Sequence, residues 1–375
     1  MRAGYGEKTR DFLAKETNPK LLIDFAGVKI FESATVDTNI LLFSKSNNRH
    51  ETVCAVTNKQ NKDSVKNLSD FVKSNQSLCD FSSCDSWVIL SPIEQSIKSK
   101  IESVGTPLKD WDINIYRGVL TGCNEAFIIS GEKREEILQN CATEDEKKRT
   151  AELIRPILRG RDIKRYGYEW AKLYLIATFP ARKYNIEQYP SVKHYLLSFA
   201  YDYLIENNNE LVAKNHLEEY CMKKLSQSGE YIIINGKHVL DRNGNKEKGR
   251  KKTTNKWFET QDSISYWDDF FKPKLFYADI TQELNFALCN DVMFCNNTTY
   301  FLTADNPSIL PRLQHFLNSK LMDWYYRTLS VQLGEKAVRM FSIYVLNIPI
   351  PKSLQEEIYK TYCLTNDEIN YIERR

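Results

Sequence analysis

Five basic residues fall within one short span of this chain, Ile154-Arg-Pro-Ile-Leu-Arg-Gly-Arg-Asp-Ile-Lys-Arg-Tyr166: Arg155, Arg159, Arg161, Lys164 and Arg165. A guanidinium donates in a planar fork that matches phosphate oxygens and the N7/O6 edge of guanine, so this cluster suits anion or nucleic-acid chemistry. Upstream, Arg117-Gly-Val-Leu-Thr-Gly-Cys-Asn-Glu-Ala-Phe-Ile-Ile129 is a Gly-broken turn between two apolar runs, with Arg117, Thr121 and Asn124 as donors. The bland alternative for Thr121 and Asn124 is a tight turn that only joins strands. For the arginines it is bracing by Glu152, Asp162 or Glu169. Lys272 and Lys274 straddle Pro273, and an extended chain would present them on the same side. Lys336 and Arg339, after Gly334, are further phosphate candidates. So is the basic run Arg242–Lys256, although charge runs are usually just solvated. Trp324, Tyr325 and Tyr326 read as helix core rather than a stacking platform.

The elements that must position these groups fit within a chain of 375 residues, 42% hydrophobic, long enough for one large core or two. Net charge is +3 with 27% charged residues, so only local clustering argues for a polyanion. Nine cysteines and five histidines are scattered without a Cys-x-x-Cys knuckle, which argues against a zinc site and fits unpaired thiols in a reducing cytoplasm. The opening residues carry no signal pattern, and no apolar run reaches membrane-spanning length; no membrane partner is expected.

Apolar patterning predicts a helix over 7–16, strands at 21–25, 28–31, 38–43 and 51–57 with the last two paired, and a polar linker over 58–85 with a weak helix at 65–73. Ser91-Pro92 opens a helix running to about Val104. Strands follow at 113–120 and 126–129, then a helix over 143–155, a strand at 173–179 and a long helix over 190–206. A hairpin at 231–240 precedes the basic run at 241–256, read as a mobile loop. Strands at 274–280, 286–289 and 300–303, a long helix over 307–330 and a strand at 341–345 complete the chain. Residues 1–57 look like the end of a domain, with few helices to cover a sheet. Exposed apolar faces are expected at Leu21–Phe25 and Ile40–Phe43.

Catalytic motifs are missing from the sequence. Amino-methyl transfer needs an Asn/Asp-Pro-Pro-Tyr/Phe loop to hold the flipped base. Here no Pro-Pro occurs, and Asn18-Pro19 and Asn306-Pro307 are followed by Lys and Ser. No strand leads into a Gly-rich turn for S-adenosylmethionine; Gly4 and Gly6 stand alone. Asp268-Asp269 with Lys272-Pro273-Lys274 has the residue types of a metal-dependent nuclease in the wrong order.

Several stretches, taken in order, resemble one family. Residues 1–43 are similar to the last part of the methyltransferase domain in type IIG restriction–modification enzymes and adenine-specific DNA methyltransferases. Residues 113–129, 154–166, Phe271-Lys-Pro-Lys-Leu-Phe-Tyr-Ala-Asp-Ile280, Leu317-Asn-Ser-Lys-Leu-Met-Asp-Trp324 and Ile348-Pro-Ile-Pro-Lys352 resemble its TaqI-like specificity domain. The resemblance covers most of the chain outside 58–85 and 205–256. It implies an α+β chain: a partial α/β, Rossmann-like methyltransferase remnant over 1–57, a linker and helical connector over 58–112, and a mixed α/β target recognition domain over 113–375. It implies double-stranded DNA as partner, and a separate methyltransferase core subunit in a split enzyme. Asp37 and Asn39, with Thr38, match a motif near the flipped-base pocket. The catalytic loop and the S-adenosylmethionine site, with Mg2+ for cleavage, belong to the intact parent enzyme; no cofactor is expected in this chain, and it is expected to be inactive alone. The alternatives are an interaction or anti-restriction protein that does not bind DNA, and a functionless truncated remnant.

Overall fold

The apolar stretch at residues 21–25 makes a strand that is central rather than peripheral. In the computed structural model, which describes residues 6–25, 28, 30–31, 38–57, 67–84, 87–330, 332–333, 337–353 and 357–374, Asn18–Asp24 pairs antiparallel with Asn39–Ser44 and parallel with Thr52–Val56. The expected pairing of 38–43 with 51–57 is therefore replaced: both strands flank Asn18–Asp24, and Ser77–Cys79 adds the other edge. Leu22, Ile23 and Phe25 are buried, so the exposed apolar face expected at 21–25 does not occur. Ile40, Leu42 and Phe43 on the edge strand are exposed, as expected. Part of the predicted 28–31 strand and of the 58–85 linker, together with the motif residue Asp37, lies outside the described residues.

The chain divides into two units. The first takes Met1–Trp111, Ile280–Leu284 and His315–Arg375, and holds this sheet. Its helix Pro92–Val104 starts as expected, with the Glu94 carboxylate accepting from the Ser91 N–H at 2.8 Å. Trp324, Tyr325 and Tyr326 on the helix Lys320–Leu329 are buried, so they are core. The strand expected at 341–345 is instead a helical turn, Ser342–Val345; a short apolar run carries no period to decide between the two.

In the last helix of this unit, Asn366–Glu373, Glu368 is buried. Burial alone would raise its carboxyl pKa. Lys100 Nζ at 2.7 Å, Ser96 Oγ at 2.6 Å and the Thr365 N–H at 2.7 Å outweigh that and hold it at about 2. A carboxyl depressed on folding adds stability that is complete above its unfolded value and disappears as pH falls through the folded one. Glu368→Gln should therefore flatten the loss of stability between pH 4.5 and 2 and cost about 3 kcal/mol at pH 7. Urea midpoints across that range check it; parallel pH profiles for the two proteins would count against the assignment.

The second unit takes Asp112–Asp279 and Asn285–Gln314. One antiparallel sheet runs Ala287–Cys289, Lys274–Ala278, Thr299–Ala304, Ile113–Arg117. A second runs Phe294–Cys295, Ile154–Leu158, Leu173–Ile176, Ile128–Ser130. Phe127, Ile157, Leu175, Phe270, Phe294 and Phe301 pack between them, with Phe270 stacked on Phe294 at 4.1 Å. The predicted strand at 126–129 begins as a helical turn, Asn124–Phe127, before Ile128–Ser130. The helix expected over 143–155 stops at Leu153, so Arg155 sits on a strand.

Two long helices are broken. Residues 190–206 form Pro190–Leu196 and Tyr201–Glu206, and Ser198 Oγ at the break donates to the His194 carbonyl in competition with the backbone. Residues 307–330 form a 3-10 turn and the helices Leu310–Leu317 and Lys320–Leu329, the last opened by Ser319 Oγ accepting from the Met322 N–H. The 231–240 hairpin is present as Ile233–Ile234 against Lys237–His238. All nine cysteines are free thiols. No helix among the described residues is long and apolar enough to cross a membrane.

Candidate nucleic-acid interface

The strand Ile154–Leu158 runs into a 3-10 turn, Gly160–Asp162, and then into a hairpin of Ile163–Lys164 against Gly167–Tyr168. Arg159 is used internally: its Nε and Nη2 reach the Asp162 carboxylate at 3.0 and 2.8 Å, and its own N–H donates to the same group. Gly160 leaves no room for a side chain, since a Cβ there would come within 2.6 Å of the Thr298 carbonyl oxygen. Arg161, Lys164 and Arg165 are exposed. Lys164 lies 3.6 Å from Glu169, a pair too exposed to hold it firmly. Arg165 extends over the Tyr166 ring at 5.5 Å. Arg161 makes no side-chain ion pair among the described residues.

Arg155 is half-buried, its guanidinium 5.7 Å from the Trp267 ring and 5.4 Å from Phe271, and burial lowers its pKa. Its Nε is enclosed without a hydrogen-bond partner among the described residues. Arg182 covers the same Trp267 ring at 5.0 Å. Arg155 thus faces an aromatic wall, not open solvent.

The turn after Arg117 is a junction between the two sheets rather than a link within one. Arg117 is exposed, with its Nε donating to the Asn297 carbonyl at 3.1 Å. Thr121, expected among the outward donors, is fully buried: its hydroxyl bonds Asn124 Oδ1 at 2.7 Å and its carbonyl accepts from Arg250. Asn124 is exposed. Lys272 is half-exposed and ion-paired with Asp269 at 2.7 Å, which raises its pKa. Lys274 is a second correction. Pro273 does not bring it to the same side; it is fully buried, its pKa lowered by that burial, and its Nζ donates to the Asp291 carbonyl at 3.0 Å.

The basic run at 241–256 is not a free loop either. Arg250 is buried, and Glu247 is enclosed by the hydroxyls of Tyr203 and Tyr220 and by Lys224 at 3.3 Å. Arg339 and Asn39 belong to the other unit; Arg339 covers Phe341 at 5.4 Å and Asn39 is exposed at the start of its strand. Lys336 lies outside the described residues.

The structure thus gathers Lys164 and Arg165 on one ribbon and Arg161 in the turn that leads into it, with Arg117 and Asn124 elsewhere on the surface of the same unit. Trp267, Phe271 and Arg182 beside Arg155, and Tyr166 at the ribbon tip, escaped the sequence reading. The aromatic run Tyr266-Trp267 ahead of Phe270-Phe271 was the available signal for the first group. Among the described residues, no three His, Cys, Asp or Glu side chains come together as a metal site.

No curated protein matches the sequence. Among solved structures, the type IIG restriction endonuclease BpuSI is similar at 12% identity and a TM-score of 0.41, over 100% of this chain and 41% of that one. The type IIL restriction-modification enzyme MmeI, solved in complex with DNA, is similar at 11% identity and a TM-score of 0.40, over 88% of this chain and 35% of that one. The chain therefore spans about two fifths or less of the length of these structures. The model of the TaqI-like C-terminal specificity domain matches residues 155–350, more than half of the sequence, and the chain belongs to that family.

Proposed function

We propose that this chain recognises a specific sequence in double-stranded DNA, as the target recognition region of a type IIG restriction–modification enzyme or adenine-N6 methyltransferase in the cytoplasm. The observation that carries the reading is the specificity-domain match over residues 155–350, which includes the exposed cationic ribbon. Arg161, Lys164 and Arg165 supply the donors there, with Arg117 and Asn124 as further contacts.

Residues 1–57 are read as the end of a methyltransferase domain, 58–112 as the connector and 113–375 as the recognition domain. Methyl transfer is not assigned to these residues, whose sequence holds no Asn-Pro-Pro-Tyr loop. Among the described residues, Gly105, Gly118 and Gly160 are backed by this chain's own backbone, at Pro349, Asn296 and Thr298, and are not read as a cradle for S-adenosylmethionine. Cofactor and catalytic loop are placed on a methyltransferase core that works with this region. That core would act on an adenine which this chain holds in position.

Binding of a mixed-sequence duplex across a salt titration tests the reading. Three phosphate contacts from Arg117, Arg161 and Lys164 predict a log–log slope of about −3, and Arg161→Ala should reduce its magnitude by about one. No duplex binding at low salt would overturn the reading in favour of a protein-interaction module.

A further inference from the structure

The ribbon at 163–168 has properties beyond its charge. Its base is fixed. Ile163 is buried, the Asp162 carbonyl accepts from the Glu169 N–H at 2.8 Å, and the Gly160 N–H donates to Thr298 Oγ1 at 2.9 Å. The Tyr168 hydroxyl lies 3.4 Å from Asp291 Oδ2. Its outer part, Lys164-Arg165-Tyr166, is exposed.

Tyr166 holds φ at +66°, the left-handed region that a two-residue turn would normally give to glycine or asparagine. Gly167 follows immediately, so a small residue is adjacent but does not occupy the strained position. The tyrosine ring is 48% exposed and carries the Arg165 guanidinium at 5.5 Å. A bulky residue in a costly conformation, half-exposed and in contact with a cation, braces that cation rather than the fold.

We propose that this hairpin enters the major groove of duplex DNA as a two-stranded ribbon, with Arg165 reading a guanine and Tyr166 as the positioning residue that holds its guanidinium. This rests on the DNA-recognition reading above. The major groove admits a two-stranded ribbon, and guanine there presents N7 and O6 to a planar fork of donors. Lys164 and Arg161 lie on the approach to the tip, where phosphate contacts set the register.

The test uses the full 375-residue chain and a pool of duplexes randomised over twelve or so base pairs, with enriched sequences read before and after substitution. The wild type should enrich a motif containing a G·C pair at which Arg165→Ala loses discrimination by ~5- to 100-fold, while affinity for unrelated duplex falls only slightly. Tyr166→Phe should keep the motif. Tyr166→Gly should relax the same position while leaving the thermal midpoint unchanged or higher, because glycine accepts the positive φ without cost. A merely structural tyrosine would show the opposite. Placing 7-deazaguanine at that position should weaken the wild type and leave Arg165→Ala unaffected. If Arg165→Ala weakens all sequences equally and reduces the salt slope by about one, the tip is a phosphate contact and the proposal fails, although DNA recognition stands. If Tyr166→Gly leaves discrimination intact, the bracing role fails. If the wild type binds no duplex at all, the underlying reading fails with it.

Discussion

Arg250→Met is expected to destabilise the unit formed by Asp112–Asp279 and Asn285–Gln314 by about 3–5 kcal/mol, a loss on the scale of removing one partner from a buried ionic contact. Arg250 Nε donates to the Leu225 carbonyl at 2.8 Å, Nη1 to those of Thr121 and Glu259 at 2.9 and 2.6 Å, and Nη2 to that of Trp257 at 2.6 Å. These bonds engage four of the five guanidinium donors and tie together three separate stretches of chain. The guanidinium also lies 5.0 Å from the Phe127 ring. Burial lowers its pKa to about 10, which still leaves it charged at neutral pH. Methionine would keep much of the volume and strand the carbonyls, each costing about 1–3 kcal/mol when buried without a donor. Arg250→Lys should recover only part of the loss, because one ammonium cannot reproduce the fork. Chemical unfolding followed by tryptophan fluorescence reads this through Trp257 and Trp267. A midpoint within error of wild type would show that the segment is held by something else.

That expectation reverses what the sequence implied for the same residue. In one dimension Arg250 belongs to a basic run with no apolar period, which reads as solvated. What selects it is the convergence of carbonyls from Thr121, Leu225, Trp257 and Glu259, and no local pattern encodes that convergence. Lys274 was misread for a related reason. Alternation along an extended chain predicts which side a residue faces, but not that both sides of its strand are covered, and here Lys274–Ala278 is an inner strand of its sheet. Where the pattern concerned local chemistry, it was legible. The helix at Pro92, the hairpin at 233–238 and the burial of Trp324–Tyr326 all followed from it. The arginine cluster was legible as a cluster, while its division between Arg159 bound to Asp162 and Arg161 in solvent depends on the fold. The helices over 190–206 and 307–330 were read too long because hydrophobic periodicity continues across a break that a single serine side chain can stabilise.

The turn that looked like a donor-rich binding loop should prove to be a steric keystone, and three glycines separate the physical terms. Gly118→Ala is expected to cost about 3 kcal/mol or more, because its Cβ would meet Asn296 O at 2.1 Å and Cys295 O at 2.6 Å, backbone atoms that cannot rotate away. The same approach sets the hydrogen bonds from the Gly118 N–H to the Thr299 carbonyl and from the Val119 N–H to the Cys295 carbonyl, both 2.8 Å. Moving that backbone apart would therefore break the contact between the two sheets of the unit. Gly236 has open space around its Cβ position but φ at +76°, so Gly236→Ala should cost about 1 kcal/mol for conformation alone. Gly131 begins the helix Gly131–Gln139 with neighbours at 3.7 Å and no positive φ; Gly131→Ala should be neutral or stabilising by about 0.5 kcal/mol. Thermal midpoints of the three variants should fall in that order, with Gly118→Ala lowest. If Gly118→Ala melts with the wild type, the two sheets are not locked at this approach. If it melts early but the folded fraction still binds duplex DNA with unchanged salt dependence, the turn serves architecture and the cationic ribbon carries the contact.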